Sequence, residues 1–196
     1  MLWPGRYLSV VRICDGDRYG ESIAEVSNTL LRDRDTIDGV LLVMDGGDPE
    51  AVPDIHRFIR SIVPPRTQLI LLTSGSDPAA LDDLIGAGYV NRVVFRFSSP
   101  PDHAQLRSVE VVRDSGAPFC VCCVLDPERM TTDDIVSTAD ETAGHEEFIL
   151  MSPKAPRPGF KKRDTAALAK SLKGHARGVR VMDDIGTDRD PNPPQG

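Results

Sequence analysis

Residues 68–81 read QLILLTSGSDPAAL, and this stretch holds a strand, a turn and the start of a helix. The apolar run at 68–72 has the length of a buried strand. Ser76-Asp77-Pro78 then supplies a side-chain cap and an early proline, which are both typical of a helix N-terminus. A buried strand that leads into a capped helix is the repeating unit of parallel α/β proteins.

The same alternation extends in both directions along the chain. Strands are predicted near Tyr7–Ile13, Gly39–Met44, Gln68–Leu72, Val90–Phe97, Pro118–Leu125, Glu147–Met151 and Gly178–Met182. Helices are predicted near Glu21–Arg32, Pro49–Val63, Pro78–Ile85, Asp102–Ser115, Thr132–Thr142 and Arg163–Lys173. Because most of the strands are apolar along their length, both faces of the sheet should be covered. The pattern predicts an α/β fold with a partial (β/α) TIM-like barrel of six or seven parallel strands, and a doubly wound sheet is the open alternative.

Composition narrows the class of protein. The chain has 196 residues, 40% of them hydrophobic, and a net charge of −7, which disfavours a nucleic-acid-binding surface. No apolar stretch approaches the roughly 18 residues of a membrane span, and the first residues do not resemble a signal peptide. Three of the four cysteines lie in FCVCCV at 119–124, which is no disulfide framework, so a cytoplasmic location is expected. We expect one barrel domain at 1–184 and a disordered, polar, proline-rich tail at 185–196.

Two turns are the candidate ligand-binding elements, because ligands of parallel α/β folds sit at the carboxyl ends of the strands. Gly46-Gly47-Asp48-Pro49 follows the second strand, and Thr73-Ser74-Gly75 follows the third. Adjacent glycines allow the backbone to approach a ligand closely, so that its polar groups can hold an amino or carboxylate group. Taken alone, each turn is also what an ordinary loop would contain.

These turns, taken in order, resemble a known family. Trp3-Pro4-Gly5-Arg6, Gly46-Gly47-Asp48-Pro49 and Leu72-Thr73-Ser74-Gly75 resemble motifs of the activating enzymes of anaerobic ribonucleotide reductase and pyruvate formate-lyase. Those enzymes are members of the radical S-adenosylmethionine (SAM) superfamily, and the resemblance runs from Trp3 to Met182. In the family the Gly-Gly-Glu-Pro motif holds the amino group of SAM. The resemblance therefore implies a vestigial SAM pocket at Gly46, Gly47, Asp48, Pro49, Thr73, Ser74 and Gly75.

The departures from the family pattern concern its chemistry. Family members carry Cys-x3-Cys-x2-Cys after the first strand, where three thiolates hold a [4Fe–4S] cluster. Here residues 11–20 read VRICDGDRYG, with Cys14 as the one cysteine, and carboxylates are poor replacements for soft thiolates. The pocket also differs, since Ser74 replaces an asparagine, Arg96 an acidic residue, Ser98 a lysine and Cys122 an arginine. A [4Fe–4S] cluster is therefore not expected.

The remaining cysteine, carboxylate and histidine side chains are candidate metal ligands, but each group also has a simpler interpretation. Cys14, Cys120 and Cys122 could face one another across the barrel, with Cys123 on the opposite face of its strand, but buried free cysteine usually packs as a small hydrophobe. Asp45, Asp48 and Glu50 could hold Mg²⁺, yet acids are favoured at a helix N-terminus in any case. His56, His103, His145 and His175 are scattered and are interpreted as surface residues.

The sequence thus predicts a non-catalytic radical-SAM-like protein, a pseudoenzyme that acts as a binding or regulatory module. Its partner would be another protein, such as an activase or a radical enzyme, and neither nucleic acid nor membrane is expected. No cofactor is expected to be required, no metal ligand is assigned, and SAM is the candidate ligand of the pocket. The alternative is an enzyme with altered chemistry that binds SAM, or a metal through Cys14, Cys120 and Cys122.

Overall fold

The computed structural model describes residues 7–14, 23–45, 47–126, 129–152 and 162–183. Four segments that the sequence analysis discusses lie outside these ranges: 3–6, 15–22, Gly46 and 185–196. The strands are β1 Leu8–Cys14, β2 Gly39–Asp45, β3 Gln68–Thr73, β4 Arg92–Phe97, β5 Phe119–Val124, β6 Glu147–Ser152 and β7 Val179–Asp183. The helices are α1 Ile23–Asp33, α2 Ile55–Ile62, α3 Pro78–Gly86, α4 His103–Ser115, α5 Thr132–Glu141 and α6 Lys162–Ser171.

The order of the strands decides between the two topologies that the sequence leaves open. All seven strands are parallel, and each pairs with the next one along the chain, from β1 to β7. A doubly wound sheet needs a point at which the strand order reverses, and this sheet has none within the described residues. With right-handed crossovers, a consecutive order places every helix on one face of the sheet. The predicted α/β fold with seven parallel strands that alternate with helices is confirmed.

The side chains of each strand alternate between two apolar clusters. One cluster joins the strands to the helices and includes Leu71, Phe95, Val121 and Leu150. The other consists of strand residues alone and fills the inner face, with Leu41, Val43, Ile70, Leu72, Val94, Cys120, Cys122, Ile149 and Met151. These inner residues are at most 6% exposed. The interior is therefore a packed core, and the loops at the carboxyl ends of the strands are the part of the barrel that can hold a ligand.

Helix caps follow the chemistry that the sequence shows. The Asp77 carboxylate accepts a hydrogen bond from the Ala80 amide at 3.0 Å, as expected at the start of α3. Thr131 and Asp134 form a reciprocal capping box at the start of α5. The predicted helix 49–63 is instead divided into a 3₁₀ helix at Pro49–Ala51 and α2. Proline has no amide N–H and disfavours helical geometry in the residue before it, so Pro53 ends the first segment at Val52, which is extended.

The interpretation of all four histidines as surface residues is wrong for His145, which is 2% exposed. Its ring packs against Phe148, with ring centroids 5.4 Å apart, and its Nδ1 lies 2.9 Å from the Thr142 carbonyl oxygen. Burial lowers the pKa of His145, so the ring is neutral near pH 7. His56 and His175 each pair with an aspartate on the helix layer, and His103 is exposed.

The described helices include no candidate membrane span. None of them is long and apolar enough to cross a bilayer.

Candidate functional site

The Asp48 carboxylate ties the turn after β2 to the turn after β3. Its Oδ1 accepts a hydrogen bond from the Ser74 amide at 2.5 Å. Its Oδ2 accepts from the Ser74 hydroxyl at 2.7 Å, the Ser76 amide at 3.0 Å and the Ser76 hydroxyl at 2.6 Å. The structure thus brings together two of the turns that the sequence singles out, and it does so through a side chain, at the carboxyl end of the sheet.

Four donors keep Asp48 ionised although it is only 5% exposed. Burial works to raise the pKa of this carboxyl, but the hydrogen bonds from Ser76 and Ser74 outweigh burial and lower the pKa. Three of the four donors bind Oδ2 and one binds Oδ1, so both carboxylate oxygens are held by the turn after β3. The Asp48 side chain therefore helps to fix the shape of the mouth.

Glu50 is a second buried carboxyl at the same place, 3% exposed and two residues further along the chain. Its Oε1 accepts a short hydrogen bond from the Thr73 hydroxyl, whose oxygen in turn accepts one from the Gly75 amide at 2.8 Å. Its Oε2 is buried and has no hydrogen-bond partner among the described residues. Burial raises the pKa of Glu50 to about 7, with Asp48 and Asp77 adding to the rise and Thr73 opposing it. This carboxyl therefore titrates near neutral pH.

The two described glycines of the site have different roles. Gly75 has a φ of +76°, and a Cβ there would lie 2.9 Å from the Phe95 ring and 3.0 Å from the Ser108 Cβ. The fold itself therefore requires glycine at position 75. Gly47 is exposed, and a Cβ there would meet Met44 at an ordinary 3.5 Å. Packing therefore does not demand glycine at 47.

The expected cysteine pattern is present on β5. Cys120 and Cys122 belong to the inner cluster, whereas Cys123 belongs to the cluster under the helices. All three are fully buried, and burial raises the pKa of the Cys120 thiol in spite of the nearby Arg92. The Cys14 side chain is outside the described residues. Within the described ranges, no group of three or more His, Cys, Asp or Glu side chains is arranged to hold a metal ion.

The mouth beside these residues differs from an apolar pocket. Arg96 is half-buried. It lies on the inner face because it stands two residues after Val94, which belongs to the inner cluster. It is paired in register with Cys122 of β5. A cationic side chain thus occupies the inner face next to the turn after β3, as its place in the sequence predicts.

Sequence reasoning identified Asp48, Pro49, Thr73, Ser74 and Gly75, which the structure places together, and Gly47, which lies exposed beside them. Gly46 lies outside the described residues. The pairing of Ser76 with Asp48, the hydrogen bond from the Ser108 hydroxyl to the Gly75 carbonyl and the burial of Glu50 were missed. One signal was available: Pro78 favours the first helical position, which makes Asp77 the N-cap and leaves the Ser76 side chain free for another partner.

Comparison with known proteins was made at the levels of sequence and structure. No protein-family model matches the chain, and no curated protein is significantly similar to it in sequence. Among solved structures, SuiB from Streptococcus suis bound to S-adenosylmethionine superposes with a TM-score of 0.63 at 13% identity. That match covers 93% of this chain and 51% of SuiB. A radical SAM methyltransferase from Sphaerobacter thermophilus gives 0.60 at 16% identity, over 85% of this chain and 58% of the methyltransferase.

These likenesses define a class of fold. The chain is a radical-SAM-like α/β barrel, and it spans about half the length of the structures it resembles. At such low identity the likeness concerns the fold alone.

Proposed function

We propose that this protein is a non-catalytic binding module built on a radical-SAM-like barrel, with its ligand site at the mouth. The proposal joins two observations. The barrel resembles radical SAM structures, and the segment where that class carries its cluster cysteines contains Cys14 as its one cysteine.

The described residues do not fit a [4Fe–4S] cluster. Cluster ligands are thiolates at an accessible loop. Cys120 and Cys122 are instead fully buried in the inner apolar cluster, where burial raises the pKa of Cys120 and so disfavours its thiolate. We therefore assign no radical step to this chain.

The described turn does fit a small ligand with an amino or carboxylate group, and SAM is the first to test. The observation that carries this proposal is the set of hydrogen bonds from Ser74 and Ser76 to the Asp48 carboxylate, which holds the turn in one shape. Preorganised backbone lowers the entropy lost on binding. Gly47, which is exposed beside this fastening, leaves the backbone accessible. A protein partner, such as an activase or a radical enzyme, would reach the same exposed turn.

Anaerobic titration calorimetry with SAM tests the proposal, with iron analysis of the same sample. We expect saturable binding without iron, and we expect Gly47→Glu to abolish it by placing a long anionic side chain on the turn. Gly47→Ala is the matched control, because a Cβ at 47 meets only Met44 at an ordinary distance. Absence of SAM binding in the folded wild type would refute SAM as the ligand. Equal binding by Gly47→Glu would refute the turn as the site.

A further inference from the structure

The Glu50 side chain lies at a junction between several elements. It belongs to the 3₁₀ helix Pro49–Ala51, which contacts β2, β3, α2 and α3. Its Oε1 accepts a hydrogen bond from the Thr73 hydroxyl at the end of β3, and the backbone amide of Glu50 itself also donates to the carboxyl. The buried Glu50 carboxyl is therefore one of the contacts that hold this 3₁₀ helix on the end of β3.

The charged groups that act on Glu50 are acidic. They are Asp48, in the preceding turn, and Asp77, which caps α3. Neither β3 nor residues 39–44 of β2 carry an ionisable side chain. The charged or titratable residues within α2 and α3 lie at exposed or half-exposed positions, and they are His56, Arg57, Arg60, Asp82 and Asp83. An ionised Glu50 would thus sit in a buried site between two carboxylates.

The neutral and the ionised forms of Glu50 differ in the free-energy cost of burying the side chain. A neutral carboxyl keeps the hydrogen bond to Thr73 and carries at Oε2 only the cost of an unpaired neutral group. An ionised carboxylate would bury a full charge with one oxygen lacking a donor, a state that costs several times more than an unpaired neutral group. Movement of the 3₁₀ helix toward water relieves that cost.

We propose that Glu50 is a proton-operated latch, which holds the 3₁₀ helix Pro49–Ala51 on the end of β3 while protonated and releases it on ionisation. Release exposes the segment that directly follows the Asp48 turn, and so it changes the mouth of the barrel between mildly acidic and mildly alkaline conditions. The latch acts in the ligand-free protein and does not depend on the identity of any ligand.

The direction and size of the effect follow from proton linkage. The pKa of the carboxyl is about 7 when seated, against an ordinary value of 4.5 in water. The seated state thus holds the proton more tightly, and release becomes more frequent as pH rises from 4.5, levelling off above 7. Between pH 5.5 and 7.5 the population of the released state should rise roughly twentyfold.

Amide hydrogen exchange of the ligand-free protein, resolved by residue and corrected for the intrinsic pH dependence of exchange, tests the latch. The reporters are the Ala51, Val52 and Gly75 amides, which donate to Asp48, Pro49 and Thr73 respectively. Their protection should fall about twentyfold between pH 5.5 and 7.5, whereas amides in the middle of α4 should not change. Glu50→Gln, which cannot ionise, should show no such fall.

Unchanged protection in the wild type would overturn the proposal, and so would the same fall in Glu50→Gln. A carbon-13 NMR titration of the wild-type Glu50 carboxyl gives a test that needs no variant. A midpoint near 7 supports the latch, and a midpoint near 4.5 overturns it. Since neither experiment contains SAM, failure of the latch and failure of the proposed binding function are distinguishable.

Discussion

Replacement of Gly75 by alanine tests how rigidly the mouth is built. The residue has a φ of +76°, which L-residues adopt at a cost of roughly 1–2 kcal/mol. The new Cβ would also lie 2.9 Å from the ring of Phe95, which is fully buried and stacks on Phe97. It would lie 3.0 Å from the Ser108 Cβ, whose hydroxyl donates to the Gly75 carbonyl.

Neither neighbour can move freely, because the ring is packed on both sides and Ser108 is fixed on α4. Overpacking of this kind costs about 1–3 kcal/mol. With the backbone strain, the Gly75→Ala variant should lose about 2–5 kcal/mol of unfolding free energy.

Gly116→Ala is the matched control. Gly116 ends α4 at a φ of +73°, nearly the same backbone conformation, but a Cβ there meets nothing within 4 Å. Urea unfolding followed by circular dichroism should therefore show a loss of only about 1–2 kcal/mol for Gly116→Ala. If the two variants lose equal stability, the packing of Phe95 and Ser108 against the Gly75 turn does not constrain the mouth, and the reasoning is refuted.

Three further predictions concern groups that the fold buries. Asp48→Asn replaces one carboxylate oxygen by an NH2 group, so that at least one of the four donors from Ser74 and Ser76 loses its acceptor. We expect a loss of about 1–3 kcal/mol in urea unfolding, and a smaller loss would contradict the view that Asp48 ties the two turns together. Because burial lowers the pKa of His145, the unfolded chain binds more protons than the folded chain below about pH 6.5. Stability should fall with acidification through that range, and thermal melts of His145→Gln should show a smaller fall than the wild type. Thiol labelling of a Cys14→Ser variant should be negligible until the protein is unfolded, because the three remaining thiols are fully buried. Rapid labelling of the native variant would contradict the packing of Cys120, Cys122 and Cys123.

The elements of the fold could be predicted from the sequence because each depends on local properties. Apolar runs such as 68–72 and caps such as Asp77 and Thr131 act within a few residues, and the observed elements begin close to where these signals place them. The break after Ala51 is also a local effect, since Pro53 disfavours helix at Val52, and the sequence prediction missed it.

Strand order and side-chain pairing depend on distant residues, and the sequence does not determine them by periodicity. A doubly wound sheet and a barrel have the same strand lengths and differ only in which strands are neighbours. Likewise, Asp48 meets Ser76 across 28 positions of the chain, and Glu50 meets Thr73 across 23. The burial of His145 has the same origin, because Phe119 and Phe148 reach it from neighbouring strands.

The central claim is that this barrel binds without radical chemistry. Anaerobic reconstitution of the purified protein with iron and sulfide, followed by iron counting and assay for reductive cleavage of SAM, tests it most directly. We predict no stoichiometric iron after desalting and no cleavage of SAM. About four irons per chain with a visible sulfur-to-iron absorption band, together with cleavage of SAM on reduction, would contradict the claim.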